Sequence, residues 1–299
     1  MRSPLAVFLV AAFALSWAVT LPVWLGGGLS SPLTRVCATL MMFTPSAGVL
    51  AVWLLSRPRA PFREWAARTG LTFGERKGRT WLLILAAWLG TPLFVIGAMA
   101  LSAALGLVKL DLDGLSLLDA ALRAQGVPVP GGLGAVAAVQ IAAAVVTGPV
   151  LNLVFALGEE WGWRGWLLPR LVSARGVLGG LVLSGAIWGV WHAPLTLLGY
   201  NYPRLGSWAA VYFIAFCVLA GIVFGWLRLR SGSVWPAVIG HGSLNAVAGP
   251  VLLLGDAAAP PDEVIAGPTG LVGLAVLALV AVVLLKFLPV RLTEPEPAA

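Results

Sequence analysis

The sequence predicts an all-α, polytopic membrane protein with about eight transmembrane helices, and two observations support this fold class. First, 60% of the 299 residues are hydrophobic and 10% are charged, whereas about 25% of the residues in a soluble domain are charged. Second, apolar runs of about 20 residues, long enough to cross a bilayer as helices, recur along the whole chain. The composition therefore excludes a soluble globular domain.

Short segments that contain most of the charges, prolines and glycines separate the predicted spans. We predict spans at residues 5–25, 36–55, 81–108, 141–168, 176–198, 208–227, 235–254 and 270–288. A signal peptide is the alternative for the first run, but the run is longer than the apolar part of such a peptide. The fourth span has a second possible position, 133–157, at which it would end before the charged motif described below. We treat residues 1–299 as one integral membrane domain, with a motif-bearing core at 141–254 and a disordered tail at 292–299.

Basic residues are distributed unevenly between the two sides of the predicted membrane. With eight spans and the N-terminus inside, most Lys and Arg fall on the cytoplasmic side, including a basic loop at 57–79. The sequence therefore predicts a cell-membrane protein with both termini in the cytoplasm. This topology explains the net charge of +7, so we predict no nucleic-acid partner. Cys37 and Cys217 are isolated in apolar segments and indicate neither a disulfide framework nor a cysteine-rich zinc cluster.

Residues 158–166 concentrate charge within an apolar region. They read Gly-Glu-Glu-Trp-Gly-Trp-Arg-Gly-Trp and contain Glu159, Glu160 and Arg164. A charged side chain at the bilayer centre costs about 2.5–3.5 kcal/mol on insertion scales, so these groups need partners or a function. Residues four apart share a helical face, and we predict an ion pair between Glu160 and Arg164. Glu159 is rotated by about 100° from Glu160 and is expected to remain outside that pair.

The chain has only two histidines, and both lie within predicted spans. His192 follows Trp188 by four residues, and His241 precedes Asn245 by four, so each pair shares a helical face. Structural roles are the simpler alternative: a histidine or asparagine bonding two helices, or Arg164 reaching the membrane surface from a helix end. An acidic pair and two histidines on three successive apolar segments favour a functional site instead.

These residue types suit peptide hydrolysis. A carboxylate can act as a general base, and a histidine can polarise water or protonate the leaving amine. His241 and Asn245 can together donate hydrogen bonds to a developing oxyanion, an effect worth about 2.7–4 kcal/mol per donor. Alternatively, Glu159, His192 and His241 form a ligand set known from catalytic zinc sites. The residues alone leave both possibilities open. The chain contains no His-Glu-x-x-His, Gly-x-Ser-Gly or Gly-x-Gly-Asp motif of other intramembrane or metal-dependent proteases.

The three motifs together resemble the CAAX-processing and bacteriocin-immunity (CPBP) protease family, which includes the Rce1-type prenyl-protein endopeptidases. The resemblance covers residues 158–249. It implies that Glu159 acts as the base with His192, and that His241 and Asn245 stabilise the oxyanion. Trp188 departs from the phenylalanine that many members carry but keeps an aromatic ring.

The sequence thus predicts an intramembrane endopeptidase that acts on a peptide or protein substrate from a cavity open to the cytoplasm. Its predicted catalytic residues are Glu159, Glu160, Arg164, His192, His241 and Asn245. No cofactor is required unless zinc is bound by the three ligands named above. The alternatives are a non-catalytic immunity or scaffold protein of the same family and a small-solute transporter. The transporter is disfavoured because we find no duplicated pair of broken helices.

Overall fold

A computed structural model describes residues 3–56, 59–128 and 132–290 of the chain, and within them the architecture is helical. The α-helices are α1 (Pro4–Leu25), α2 (Thr34–Met41), α3 (Thr44–Leu55), α4 (Phe62–Arg68), α5 (Lys77–Ala104), α6 (Ser116–Ala124), α7 (Leu133–Val146), α8 (Gly148–Leu151), α9 (Leu153–Glu160), α10 (Leu168–Trp191), α11 (Ala193–Thr196), α12 (Ala209–Ser231), α13 (Trp235–Leu252) and α14 (Leu271–Phe287). A π-helical segment, Trp161–Leu167, joins α9 to α10. The predicted all-α fold class is confirmed. Arg2, Arg57 and the predicted tail at 292–299 lie outside the described residues.

Five helical stretches in the described part of the chain are long and apolar enough to cross a membrane. They are Pro4–Leu25, Thr34–Leu55, Lys77–Ala104, Leu153–Trp191 and Pro203–Ser231, and Leu133–Val146 and Leu271–Phe287 are shorter apolar helices. Large apolar side chains remain exposed along these helices, as at Leu82, Leu89 and Leu93 of α5. Such an apolar outer surface is what a lipid-facing helix requires. The chain is therefore a polytopic helical membrane protein, while the number of eight crossings stays a prediction.

The longest stretch, Leu153–Trp191, folds back on itself at Gly176. This glycine has φ 71° and ψ 174°, a conformation that residues with a Cβ rarely adopt. Gly180 then lies against the backbone nitrogen of Val172, although residues eight apart in a straight helix are separated by about 12 Å. The stretch is therefore two helices, in agreement with the predicted boundary between the fourth and fifth spans.

The charged motif lies inside a continuous helical run, so the alternative in which the fourth span ends before it, at residue 157, is wrong. The predicted start near Ile141 is also wrong, because the helix is interrupted at Thr147 and Asn152 and resumes at Leu153. Pro149 explains the interruption, since proline has no N–H to donate to the carbonyl four residues earlier. That carbonyl, on Val145, instead accepts a hydrogen bond of 2.7 Å from the indole of Trp88.

Two glycines bring the motif against α3 and the residues that precede it. A Cβ on Gly158 would lie 2.7 Å from the carbonyl oxygen of Met42, and one on Gly162 would lie 2.4 Å from the Cβ of Pro45. The hydroxyl of Ser46 donates to the carbonyl of Gly158 at 2.7 Å. This small-x-x-x-small spacing allows the close backbone approach that is common between membrane helices. It also holds the motif helix at a fixed position in the bundle.

Outside the bundle, an ion pair ties the segment after α5 to the segment after α13. Lys109 Nζ lies 2.6 Å from Asp256 Oδ2, and the Asp256 amide donates to the Lys109 carbonyl at 2.9 Å. The hydrogen bond with Asp256 raises the pKa of Lys109, and the same bond lowers the pKa of Asp256. These segments lie at the ends of α5 and α13 that we predict to face outside.

Candidate active site

The two glutamates and the arginine of the motif lie where α9 passes into the π-helical segment. Glu159, Glu160 and Arg164 are 2%, 0% and 1% exposed, so all three charges are inside the protein. Arg164 Nη1 donates to Glu160 Oε1 at 2.7 Å, which confirms the predicted pair. Single-turn π-helical segments occur frequently at functional sites. Here the segment begins directly after the acidic pair and carries the arginine that neutralises one of its members.

His241 contacts the same glutamate from a different helix. Its Nδ1 atom lies 2.9 Å from Glu160 Oε1, the oxygen that also accepts from Arg164. Because this oxygen already acts as an acceptor toward Arg164, we assign the imidazole as the donor in this contact. The ring of His241 stacks on Phe224 with centroids 5.8 Å apart. One carboxylate therefore orients two cationic or potentially cationic groups and leaves the Nε2 atom of His241 available.

Within the described residues Glu159 forms no ion pair, and it accepts a hydrogen bond from an indole instead. Trp188 Nε1 donates to Glu159 Oε2 at 2.7 Å. Among the described residues, no group donates a hydrogen bond to Glu159 Oε1. The prediction that Glu159 stays outside the Glu160–Arg164 pair is confirmed at the level of hydrogen bonds. The two adjacent carboxylates are thus differentiated: Glu160 is paired with a cation, and Glu159 keeps one oxygen free to accept a proton.

His192 is half-buried at the end of α10. Its Nδ1 atom lies 2.9 Å from the carbonyl oxygen of Trp188, and since a carbonyl only accepts, the ring must donate from Nδ1. A neutral imidazole that donates from Nδ1 accepts at Nε2. The ring packs edge to face against Trp191 and Phe213 and lies 3.9 Å from Cys217 Sγ. The backbone of its own helix therefore fixes both the tautomer and the orientation of His192.

The structure brings five of the six predicted residues together and leaves Asn245 at their edge. The rings of His192 and His241 flank the same indole, with centroids 5.6 Å and 5.5 Å from that of Trp188. Asn245 lies one turn after His241, as predicted, but its side chain is exposed and donates no hydrogen bond to other described residues. It reaches the site only if it turns toward a group that enters beside His241.

The three predicted zinc donors each have another contact in the structure. Across residues 3–56, 59–128 and 132–290, no three His, Cys, Asp or Glu side chains are arranged to hold a metal ion. His241 uses Nδ1 to contact Glu160, and Glu159 uses Oε2 to accept from Trp188. The zinc alternative stays a prediction, and the chemistry proposed below uses Glu159, His192 and His241 as acids and bases.

Several buried polar atoms at the site have no partner within the described protein. They are Glu160 Oε2 and the Nε and Nη2 atoms of Arg164. Buried polar atoms almost always bond to protein or ordered water. These three atoms therefore indicate that water or a polar substrate group enters the site.

Sequence reasoning missed the contacts that Trp188, Phe224 and Cys217 make with the charged cluster. For Trp188 a signal was present, because it lies one turn before His192 on the same face. For Phe224 and Cys217 the sequence offered no signal, because each contacts its histidine only through the packing of α12 against neighbouring helices.

Two comparisons with known proteins bear on this geometry. Residues 140–247 match the family described as "Type II CAAX prenyl endopeptidase Rce1-like". The resemblance predicted from the motifs is confirmed. This Rce1-like segment contains all six predicted site residues and excludes the first six helices. The chain is also 31% identical over 104 residues to "CAAX prenyl protease 2" of Methanococcus maripaludis. The aligned region is 32% of this chain, and it spans only 38% of the length of that relative.

Proposed function

We propose that the protein is an intramembrane endopeptidase that hydrolyses a peptide bond with water activated by Glu159. The observation that supports this most directly is that the two buried carboxylates have different hydrogen-bond partners. Glu160 is bonded to Arg164 and His241, whereas Glu159 keeps one oxygen to which no described residue donates a hydrogen bond. A structural ion pair alone would not require a second, unpaired glutamate in the membrane interior. The match to the Rce1-like endopeptidases supports the same class of reaction.

In the proposed reaction, Glu159 Oε1 and His192 Nε2 accept hydrogen bonds from one water molecule. The water oxygen attacks the carbonyl carbon of the scissile bond while Glu159 takes its proton. His241, protonated and held by Glu160, donates from Nε2 to the oxyanion that forms. Collapse of the tetrahedral intermediate breaks the C–N bond, and the proton on Glu159 passes to the leaving amine. The products are a new carboxylic acid and a new amine, the acid passes the second proton of the water to the amine to give a carboxylate and an ammonium group, and Glu159 returns to its ionised state.

The substrate class is proposed from the relative. The name of that protein states that it is a CAAX prenyl protease, so the probe we select is an internally quenched, farnesylated CAAX peptide. The purified protein in detergent or liposomes is expected to cleave this peptide with multiple turnovers. If it does not, the C-termini of membrane proteins should be compared by mass spectrometry between cells with the wild-type protein and cells with the Glu159→Gln variant. Failure of both measurements would favour the non-catalytic immunity or scaffold role.

The cavity is proposed to open toward the cytoplasm, with both termini and the basic loop on that side. This predicts that a cysteine replacing Arg68 is not labelled by an impermeant maleimide added outside intact cells, whereas one replacing Asp113 is labelled. Both positions are exposed, so burial does not explain a difference. The native Cys37 and Cys217 are buried, and the unsubstituted protein measures the background. External labelling at position 68 would contradict the topology.

His241 and Asn245 are expected to differ in their effects on the rate. His241→Ala removes the proposed oxyanion donor and should lower kcat by about 100-fold to 1,000-fold, the usual effect of losing one such donor. Asn245→Ala should lower kcat by about tenfold or less, because the exposed side chain has to move before it can contribute. Steady-state kinetics on the farnesylated probe measure both. A larger loss for Asn245→Ala than for His241→Ala would contradict these roles.

A further inference from the structure

Trp188 contacts four of the five ionisable residues predicted for the candidate site, all except Glu160. Its Nε1 atom donates to Glu159 Oε2 at 2.7 Å, and the guanidinium carbon of Arg164 lies 4.1 Å from the ring centroid. Its own carbonyl accepts from His192, and the ring of His241 packs against it at 5.5 Å. We propose that Trp188 is a positioning residue that orients Glu159 and keeps Arg164 from pairing with it. This inference rests on the proposed function.

The geometry of the indole explains how one side chain both orients Glu159 and holds Arg164 away from it. The N–H lies in the ring plane and points from its edge, so Glu159 is at the edge of the ring. Arg164 instead lies over the face, where a cation is attracted by the π electrons. The ring therefore contacts the proposed base at its edge and the cation over its face, and it holds the two groups at different positions around one indole. Arg164 donates to Glu160 from Nη1, while its Nε and Nη2 atoms have no hydrogen-bond partner among the described residues.

Without the ring, no described contact would hold the Nε and Nη2 donors of Arg164 away from the carboxylate of Glu159. A carboxylate paired with arginine accepts two hydrogen bonds and holds its negative charge tightly. Such a Glu159 would be a poorer proton acceptor and would turn its free oxygen away from water. Trp188 thus determines that Arg164 pairs with Glu160 alone and that Glu159 Oε1 remains available.

The ring itself is held in one orientation. Trp188 is 2% exposed and packs against Phe224 with centroids 6.3 Å apart. On either side of it along α10, glycines allow a close approach to α12: a Cβ on Gly185 would lie 2.6 Å from Val218 Cα, and one on Gly189 would lie 2.7 Å from Ile214 Cα. The helix that carries Trp188 therefore has little freedom to shift, and the position of the N–H follows from the packing.

Two substitutions separate the two roles. Trp188→Phe keeps an aromatic face for Arg164 but removes the N–H, and should lower kcat by about 10-fold to 100-fold, the range for one hydrogen bond to a charged group. Trp188→Leu removes the face as well and should lower kcat further. In both variants, KM for the farnesylated CAAX peptide should stay within about twofold of the wild-type value. The substitutions alter the orientation of the base, Glu159, and not the contacts that bind the peptide. Trp226→Phe is the matched control, since it removes a buried indole N–H that donates to the Leu288 carbonyl at 2.9 Å, and it should retain wild-type kcat.

An infrared measurement tests the contact without any substrate. The difference spectrum between the wild-type protein and Glu159→Gln identifies the carboxyl band of Glu159. That band should shift in Trp188→Phe and stay in place in Trp226→Phe. An unchanged band together with wild-type kcat in Trp188→Phe would overturn the inference, as would an equal loss of kcat in Trp226→Phe. A wild-type protein that cleaves nothing would refute the proposed function, while the band shift would still decide whether Trp188 orients Glu159.

Discussion

Glu159→Gln is expected to abolish peptide cleavage and to leave the helical bundle folded. Glutamine has almost the same shape, and its amide oxygen can still accept the hydrogen bond from Trp188, but it takes no proton from water. Loss of a general base typically lowers the rate by about 100-fold to 10,000-fold. Turnover of the farnesylated CAAX peptide measures the loss, and thermal unfolding in detergent measures the fold. Wild-type turnover in the Glu159→Gln variant would refute the proposed mechanism.

The control for this substitution is Glu64→Gln, which removes an exposed carboxylate on α4 that pairs with Arg68. It should retain wild-type turnover, since surface ion pairs contribute about 0–1 kcal/mol to stability. Chelation provides a further test of the same mechanism. Turnover that survives thorough chelation supports water activated by the carboxylate. Stoichiometric zinc that is lost in His192→Ala would instead support the metal-dependent alternative.

Arg164→Ala is expected to lower the yield of folded protein as well as its activity. Glu160 is fully buried and would keep only the bond from His241. Removing one partner of a buried ion pair costs about 3–5 kcal/mol, because the other charge is left uncompensated. The contact of the guanidinium with the face of Trp188 is lost as well. Size-exclusion chromatography gives the folded yield, and the shift in thermal unfolding gives the direction of the stability change.

Arg170→Ala is the matched control for Arg164→Ala. Arg170 lies six residues further along the same helical run, packs over Trp166 at 4.0 Å and donates to the Trp166 carbonyl at 2.7 Å. It has no carboxylate partner among the described residues and its side chain is exposed. Its removal therefore leaves no buried carboxylate without a partner. A fully stable but inactive Arg164→Ala protein would contradict the structural role and point to a direct contact with substrate.

The sequence alone was sufficient to predict the features that depend on the spacing of residues along the chain. The hydrophobic runs indicated a helical membrane protein, because a span needs only length and apolar composition. The separation of four residues indicated the Glu160–Arg164 pair, and the π-helical segment did not disturb it. Sequence also placed Glu159 outside that pair. The start of the motif helix was misplaced, since the effect of Pro149 and the bond from Trp88 to Val145 were not anticipated.

Only the tertiary structure decided how the motifs combine. Sequence grouped His241 with Asn245, whereas the fold pairs His241 with Glu160, 81 residues away in the chain, and leaves Asn245 exposed. It treated the tryptophan at position 188 as a neutral replacement for phenylalanine, whereas the indole N–H binds Glu159. Spacing along one helix determines which side chains share a face. It does not determine which face of another helix they meet, because that depends on how α10, α12 and α13 pack around the motif.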